Sequence, residues 1–361
     1  MRGRFLCTVG VISSAIWLAS TARGADEITH TVMEGFPRHV QARLELKGRL
    51  LARLPAPPGD RPFETFDSVV SRLKLWSPGE TIKIAFLGGD AALHKDIAEA
   101  TKPWTVAGNI ILDFGLDSQT GKYREWTRND RQFAAAIRIS FDDQGYWSLV
   151  GTDCMDGFII RPSEASMNFD GFHVRRPGDW KATVLHEFGH ALAFQHEHQH
   201  PLMGCETEFR FEDDLGYRPT RDEFEQFIPD PMGRRPGIYT VLGGPPNKWD
   251  KATVDHNLRE LRDSHLLDLS TFDRDSIMKY HFDAWMFVRG TKSPCFTNRA
   301  NAVLSPGDIA AAGRAYPKNA VAIERIFEVR KQDLGEVMRT EALPPEIIQK
   351  YDNQLRALPK K

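Results

Sequence analysis

The run HEFGH at residues 186–190, followed by a further histidine at position 196, constrains this chain more than any other stretch of its sequence. On a helix, His186 and His190 lie one turn apart on the same face, so both imidazoles can bind one ion. His196 can join them only if the chain turns after the helix. Three neutral imidazoles leave a fourth coordination position for water, which is typical of a catalytic rather than a structural zinc site. The sequence therefore predicts a centre for one Zn2+ ion.

The residues around this run have the spacing of a buried helix. Its core-facing apolar positions would be Val184, Leu185, Phe188, Ala191 and Leu192. Asp179 is a candidate N-cap for that helix. Glu187 then lies beside the ion, where its carboxylate can take a proton from a zinc-bound water as that water attacks a carbonyl. The pattern therefore indicates hydrolysis with Glu187 as the general base.

Two motifs together resemble a known family. The pattern HExxHxxxxxH followed by Glu197, and the later run Ser-Ile-Met-Lys-Tyr at residues 276–280, resemble the metzincin zinc endopeptidases, most closely their astacin-like branch. In that family a tight turn containing a methionine underlies the zinc. The resemblance implies these roles: zinc ligands His186, His190 and His196, general base Glu187, floor of the site Met278, and extra ligand or oxyanion helper Tyr280.

The chain departs from the family pattern in ways that indicate a divergent member. Ala193 stands where the metzincin pattern has glycine, and a positive φ there costs alanine on the order of 1 kcal/mol, which metal binding can offset. The family's arginine after the third histidine is replaced by the run Glu-His-Gln-His-Pro at residues 197–201. In this run we interpret His198 and His200 as solvated surface histidines. The family's pro-segment motif F-x-G-D is absent, so the route of activation stays open.

Strand and helix patterns alternate before the metal-binding run. Residues 81–87, 109–114, 135–141 and 146–152 have strand patterns, and residues 91–104 have a helical one. We therefore expect an α+β fold, with a mixed, mostly parallel sheet, a backing helix and the active-site helix. The resemblance adds a smaller, irregular or helical C-terminal subdomain below a cleft.

The resemblance also implies a substrate-binding edge strand above the cleft. An extended peptide would pair antiparallel with Ser148, Leu149, Val150 and Gly151, using backbone groups that recognise any extended chain. An ordinary edge strand without a ligand remains the alternative. The expected partner is a peptide or protein substrate in extended conformation.

The sequence divides into four segments. Residues 1–24 have the charged start, apolar stretch and small residues of a secretory signal, with a membrane anchor as the less favoured interpretation. Residues 25–65 form an N-terminal extension or a short pro-segment. The catalytic domain covers residues 66–317, divided near residue 196, and residues 318–361 form a helical tail to which we assign no chemistry. We expect a secreted, periplasmic or extracellular protein without a stable membrane anchor.

Composition excludes several other classes. A net charge of -2 predicts no preference for nucleic acid or anionic membranes. Of the three cysteines that remain after signal removal, Cys205 and Cys295 flank the region after the third histidine, and we favour a disulfide between them over one involving Cys154. Phosphate-binding, serine-hydrolase and C-x-x-C motifs are absent.

These patterns favour a secreted zinc-dependent endopeptidase. Two alternatives stay open. One is a secreted protein with the same fold and metal site that binds peptides without cutting them. The other is a zinc hydrolase of non-peptide amides or esters.

Overall fold

A computed structural model describes residues 35–51, 70–245, 247–261, 267–268, 271–339 and 343–359. The predicted secretory signal at residues 1–24 lies outside these ranges, as does much of the predicted N-terminal extension. Within them, no helix has the length and apolar character needed to cross a membrane.

Helices and strands alternate through the first half of the described chain. The strands are β1 (Val70–Ser71), β2 (Thr81–Phe86), β3 (Ile111–Asp113), β4 (Ile137–Ser140), β5 (Tyr146–Ser148), β6 (Met167–Phe169), β7 (Thr220–Arg221), β8 (Phe227–Ile228) and β9 (Leu267–Asp268). The helices are α1 (Arg38–Leu51), α2 (Ala91–Ala100), α3 (Lys102–Ala107), α4 (Trp180–Ala191), α5 (Cys205–Glu208), α6 (Ile238–Gly243), α7 (Lys251–Leu258), α8 (Pro306–Ala315), α9 (Ala320–Met338) and α10 (Pro345–Ala357).

The main sheet has five strands in the order β3-β2-β4-β6-β5. Its strands pair in parallel except β5, which runs antiparallel to β6 at the edge of the sheet. This arrangement confirms the predicted α+β fold with a mixed, mostly parallel sheet. The helix predicted over residues 91–104 is two helices, because Pro103 near the start of α3 has no N–H to continue the hydrogen bonding of α2.

The helix that carries the metal-binding run is α4, and it packs against α2 and the edge strand β5. All five residues of its predicted apolar stripe are buried in the main core. Asp179 occupies the N-cap position as predicted, but its side chain makes no capping hydrogen bond. Burial of the apolar stripe therefore stabilises α4 more than its cap does.

A second hydrophobic core lies after the third histidine. It includes Phe209, Phe282 and Phe287 around the disulfide between Cys205 and Cys295. The predicted pairing of these two cysteines is confirmed. Cys154 is a buried free thiol, and burial raises its pKa to about 12, which keeps it protonated and unreactive.

A buried ion cluster joins the two ends of the described chain to the domain between them. Asp153 accepts hydrogen bonds from Lys47 of α1 at 2.6 Å and from Lys350 of α10 at 2.8 Å. Both lysines also contact Asp156, at 2.7 and 3.0 Å, and Lys74 lies 2.9 Å from Asp153. The pKa of Asp153 is held well below its ordinary value: burial alone would raise it, but Lys350, Lys47 and Lys74 outweigh burial.

Replacing Asp153 with Asn should lower the free energy of unfolding near neutral pH by about 3 kcal/mol, because the buried Lys47 then keeps only Asp156 as a carboxylate partner, and Lys74 and Lys350 lose their ion pairs with residue 153. A carboxyl group whose pKa falls on folding stabilises the protein above its unfolded-state pKa of about 3.9, and this contribution is lost as pH falls through the folded-state pKa. The difference between the wild type and Asp153→Asn should therefore shrink below about pH 4. Denaturant unfolding of both zinc-free proteins across this pH range measures it, and a difference independent of pH would contradict the assignment.

Candidate active site

Three histidine side chains converge at the end of α4. The Nε2 atom of His190 lies 3.2 Å from that of His186 and 3.1 Å from that of His196. All three rings are buried, and their ring nitrogens form the group within the described chain that could hold a metal ion. The predicted turn of the chain after α4 therefore brings the third imidazole to the first two.

The hydrogen-bond partners of the three Nδ1 atoms show which nitrogen of each ring can bind a metal ion. His186 Nδ1 lies 2.7 Å from the carbonyl of Ile277, and His190 Nδ1 lies 2.8 Å from the carbonyl of Phe194. His196 Nδ1 lies 3.1 Å from Oε1 of Gln199, whose Nε2 donates to the carbonyls of His256 and Arg259. Oxygens at these positions can only accept, so each Nδ1 carries the proton and each Nε2 presents a lone pair.

Three lone pairs facing one another at this distance repel unless a cation lies among them. Zinc–nitrogen bonds of about 2.0–2.1 Å in a tetrahedron place neighbouring ligand nitrogens roughly 3.3 Å apart. The observed separations of 3.1 and 3.2 Å are close to that value. The donor set therefore fits one zinc ion held by three neutral imidazoles.

The turn that delivers His196 has a strained residue at its centre. The N–H of Ala193 donates to the carbonyl of His190 at 2.8 Å, and the N–H of Phe194 donates to the carbonyl of Gly189 at 3.1 Å. This is the hydrogen-bond pattern of a Schellman cap, which requires the left-handed conformation at the position of Ala193. Ala193 has a φ of 72°, as the glycine of the family pattern predicted. The chain bends as the sequence required, with an alanine where glycine would be unstrained.

The predicted methionine lies directly beneath α4. Met278 is fully buried, and a Cβ added at Gly189 would overlap its Sδ atom, so glycine is needed at that position of the helix. The carbonyl of Met278 accepts from the N–H of Glu197 at 3.0 Å. This turn therefore contacts the metal helix and also fixes the residue after the third ligand.

Asp308 holds this turn in place. Its carboxylate accepts from Ser276 Oγ at 2.6 Å and from the N–H of Ile277 at 2.8 Å. It also forms a capping box with Ser305 at the start of α8. Burial raises the pKa of Asp308, although these donors oppose that effect. Its contact with the turn that orients His186 joins residues more than thirty positions apart, so this contact depends on the tertiary structure.

Tyr280 lies against the histidine cluster. Its ring centroid is 5.3 Å from that of His186 and 4.3 Å from that of His196. The ring of His198 stacks on Tyr280 at 5.1 Å and on His196 at 4.9 Å. Tyr280 therefore borders the metal position, and His198 contacts both of these rings.

The interpretation of His198 and His200 as solvated surface histidines is wrong, because both are fully buried. His198 Nε2 lies 2.8 Å from the carbonyl of Asn257, and His200 Nδ1 accepts from the N–H of Leu202 at 3.1 Å. Burial, followed by the charge of His196, lowers the pKa of His198 well below its ordinary value. The segment is buried because α5 and α7 pack against it and because Phe209 and Phe282 contact the ring of His198.

The remaining predicted residues lie on the two elements that border the site. Glu187 is buried in α4 next to the first ligand. The strand β5 ends at Ser148, earlier than the predicted residue 152, although the N–H of Leu149 still pairs with Ser166 of the neighbouring chain segment at 2.9 Å. Gly151 begins a short 3-10 helix.

Solved structures that are similar to this chain include two of myroilysin and one of a hatching enzyme. A structure of myroilysin aligns with a TM-score of 0.50 and 26% identity, covering 70% of this chain and 100% of that one. A crystal structure of myroilysin aligns with a TM-score of 0.41 and 24% identity over 68% of this chain and 86% of that one. High choriolytic enzyme 1, a hatching enzyme zinc-protease from the medaka fish Oryzias latipes, aligns with a TM-score of 0.36 and 15% identity over 67% and 94%. No protein-family model and no curated protein matches the chain.

Replacing Ala193 with Gly should raise the free energy of unfolding by about 1 kcal/mol, because glycine adopts a positive φ without the steric penalty of a Cβ. Ala311 is a matched control, since it is equally buried but lies inside helix α8. Ala311→Gly should instead destabilise the protein by about 1 kcal/mol. Denaturant unfolding of the zinc-free proteins compares them. Destabilisation by both substitutions would mean that the turn is not strained at Ala193.

Proposed function

We propose that this chain, a divergent astacin-like metzincin and zinc metalloendopeptidase, cuts extended polypeptides outside the cell with Glu187 as its general base. The observation that carries the proposal is the convergence of three buried imidazoles above Met278, with a buried carboxylate next to the first of them. His186, His190 and His196 would hold the zinc ion. When bound there, zinc supplies Lewis acidity, which polarises a carbonyl and makes water more acidic.

Glu187 is suited to moving the proton. It lies in the same rigid helix as two of the ligands, so its position relative to them is fixed by α4. Its carboxylate would accept a proton from the attacking water and return it to the nitrogen of the leaving amine. Burial shields this transfer from bulk solvent.

Tyr280 is suited to stabilising the charge that develops on the substrate oxygen. Its ring packs between the ligand side chains and His198, which limits the positions its hydroxyl can take. A phenol hydroxyl donates one hydrogen bond, and donors aimed at a developing oxyanion strengthen as the charge forms. We assign Tyr280 to this role rather than to metal ligation.

Substrate would pair with the edge of the main sheet. The N–H of Leu149 donates to the carbonyl of Ser166, and the N–H of Asp170 donates to the carbonyl of Gly145. These two hydrogen bonds show which backbone groups of β5 and its flanking residues face β6. Because these groups alternate in an antiparallel strand, the N–H and C=O of Ser148 and the N–H of Val150 point away from β6. An extended peptide would form a main-chain ladder with these groups next to α4, within the predicted set Ser148, Leu149, Val150 and Gly151. Because Ser148, Leu149 and Gly151 are buried, binding would first require this edge to be uncovered.

Location outside the reducing cytosol is the remaining part of the proposal. The disulfide between Cys205 and Cys295 lies in the second core, and disulfides persist in oxidising compartments. The signal-like start of the sequence supports the same location.

Replacing Glu187 with Gln should lower kcat for an unfolded protein such as casein by about 10³-fold, because the amide cannot accept the proton. Zinc content should remain one ion per chain, since the substitution keeps the shape of the side chain. Proteolysis and zinc stoichiometry, measured with and without a chelator, separate these effects. Full activity in the variant would exclude this base. A wild type that binds zinc and peptides without cutting them, or cuts only small amides or esters, would favour one of the two alternatives.

Replacing Tyr280 with Phe should lower kcat by about 10²-fold and change KM by less than about threefold, because an oxyanion donor acts mainly in the transition state. The ring contacts with the histidines would remain. Tyr217 provides a matched control, because its hydroxyl bonds the carbonyl of Ile228 within the β7–β8 hairpin. Steady-state kinetics on one peptide should leave Tyr217→Phe unchanged. An effect of Tyr280→Phe confined to KM would contradict the oxyanion role.

A further inference from the structure

The turn that follows α4 is held by side chains that take no part in the proposed chemistry. Three consecutive carbonyls at this turn accept hydrogen bonds from three other parts of the chain. The Ala191 carbonyl accepts from Trp76 Nε1 at 2.8 Å, and the Leu192 carbonyl accepts from the hydroxyl of Tyr316 at 2.9 Å. The Ala193 carbonyl accepts from the backbone N–H of residue 71 at 3.0 Å. The last carbonyls of a helix ordinarily have no partner inside the helix, so these bonds satisfy them from outside.

We propose that Trp76 and Tyr316 are positioning residues for zinc, which hold the strained turn at Ala193 so that His190 and His196 present their Nε2 atoms to one ion. Both side chains are buried and neither touches the metal position: Trp76 reaches the end of α4, and Tyr316 lies just after α8. The inference concerns metal affinity, and it rests on the proposed function only in taking zinc as the ion.

The turn controls two of the three ligands. His190 Nδ1 bonds the carbonyl of Phe194, which lies inside the turn, so a change in the turn rotates this ring. His196 follows two residues later and depends on the turn for its position. Bonds from partners outside the ligand set are known to set metal affinity by fixing ligand orientation. Ala193 has a φ of 72°, which is strained for alanine. Without the hydrogen bonds from outside the turn, this backbone would relax to a different conformation.

Helix α9 anchors the segment that contains Trp76. The segment that contains Trp76 is bonded to α9 on both sides: Arg72 pairs with Asp333 through two bonds of 2.9 and 2.8 Å, and Ser77 Oγ accepts from Arg330 at 3.0 Å. All three charged side chains are buried. A buried guanidinium–carboxylate pair with two parallel bonds fixes orientation as well as distance. The tail to which the sequence assigned no chemistry is therefore connected to the metal-binding turn.

Tyr316→Phe and Trp76→Phe test the proposal, because each removes one donated hydrogen bond and keeps an aromatic ring. Each should weaken zinc binding about tenfold, the smaller end of the effect expected for a partner outside the ligand set. Tyr351→Phe is the matched control: Tyr351 is also fully buried, and within the described chain its hydroxyl makes no hydrogen bond. The affinity of the Tyr351→Phe protein should stay within twofold of the wild type. Competition for zinc against a chromophoric chelator measures the affinities of the purified full-length proteins.

A second substitution separates positioning from general loss of packing. Adding Ala193→Gly to Tyr316→Phe should recover most of the lost affinity, because glycine keeps the left-handed conformation with less external restraint. Unchanged zinc affinity in both single variants would overturn the proposal, as would a loss that Ala193→Gly does not recover. A wild type that fails to bind zinc would instead overturn the proposed function. Apo-protein unfolding verifies that every variant compared is folded.

Discussion

The mutual repulsion of three imidazole lone pairs is the constraint on which the rest of this structure depends. Their Nε2 atoms lie 3.1 and 3.2 Å apart, a separation close to that of neighbouring nitrogen ligands around one zinc ion. The protein maintains this arrangement through hydrogen bonds from the Nδ1 atom of each ring to a protein oxygen. The acceptors are a carbonyl of the methionine turn, a carbonyl of the Schellman turn and the side chain of Gln199. The last two lie in the segment that follows α4, whereas the methionine turn comes from a distant part of the chain, so the site is complete only when that turn packs against α4.

The two turns that supply carbonyls are themselves held from further away. Asp308 at the start of α8 bonds the methionine turn, and Tyr316 at the end of the same helix bonds the Schellman turn. Helix α8 therefore contacts both sides of the metal site with its two ends. A rigid helix is well suited to this purpose, because its length fixes the distance between the two contacts. The capping box is thus a local feature of α8 and also a support for the ligand His186.

Much of the fold and of the site could be predicted from residues that are close in sequence. The spacing of His186 and His190 on one helix needs only the helical period, and the buried stripe of α4 follows from the same period. Strand extents were less accurate: β5 is shorter than predicted because Gly151 turns the chain into a 3-10 helix. His198 and His200 were interpreted wrongly because a polar, histidine-rich run has the composition of a surface loop. Their burial depends on packing by later parts of the chain, including α7 and Phe282, which no local pattern associates with them.

The sequence by itself determined the donor set, the helix that carries two ligands, the need for a bend after it and the class of fold. These follow from short-range periodicity and from the chemistry of each residue type. Only the tertiary structure decided how the bend is held at an alanine, and that a carbonyl of the methionine turn orients His186. It also decided that the tail is bonded to the segment that contains Trp76, which in turn donates to the metal-binding turn. These features are contacts between residues distant in the chain, such as Trp76 with Ala191 and Tyr316 with Leu192. Their pairing depends on how the whole chain packs, which neither residue encodes alone.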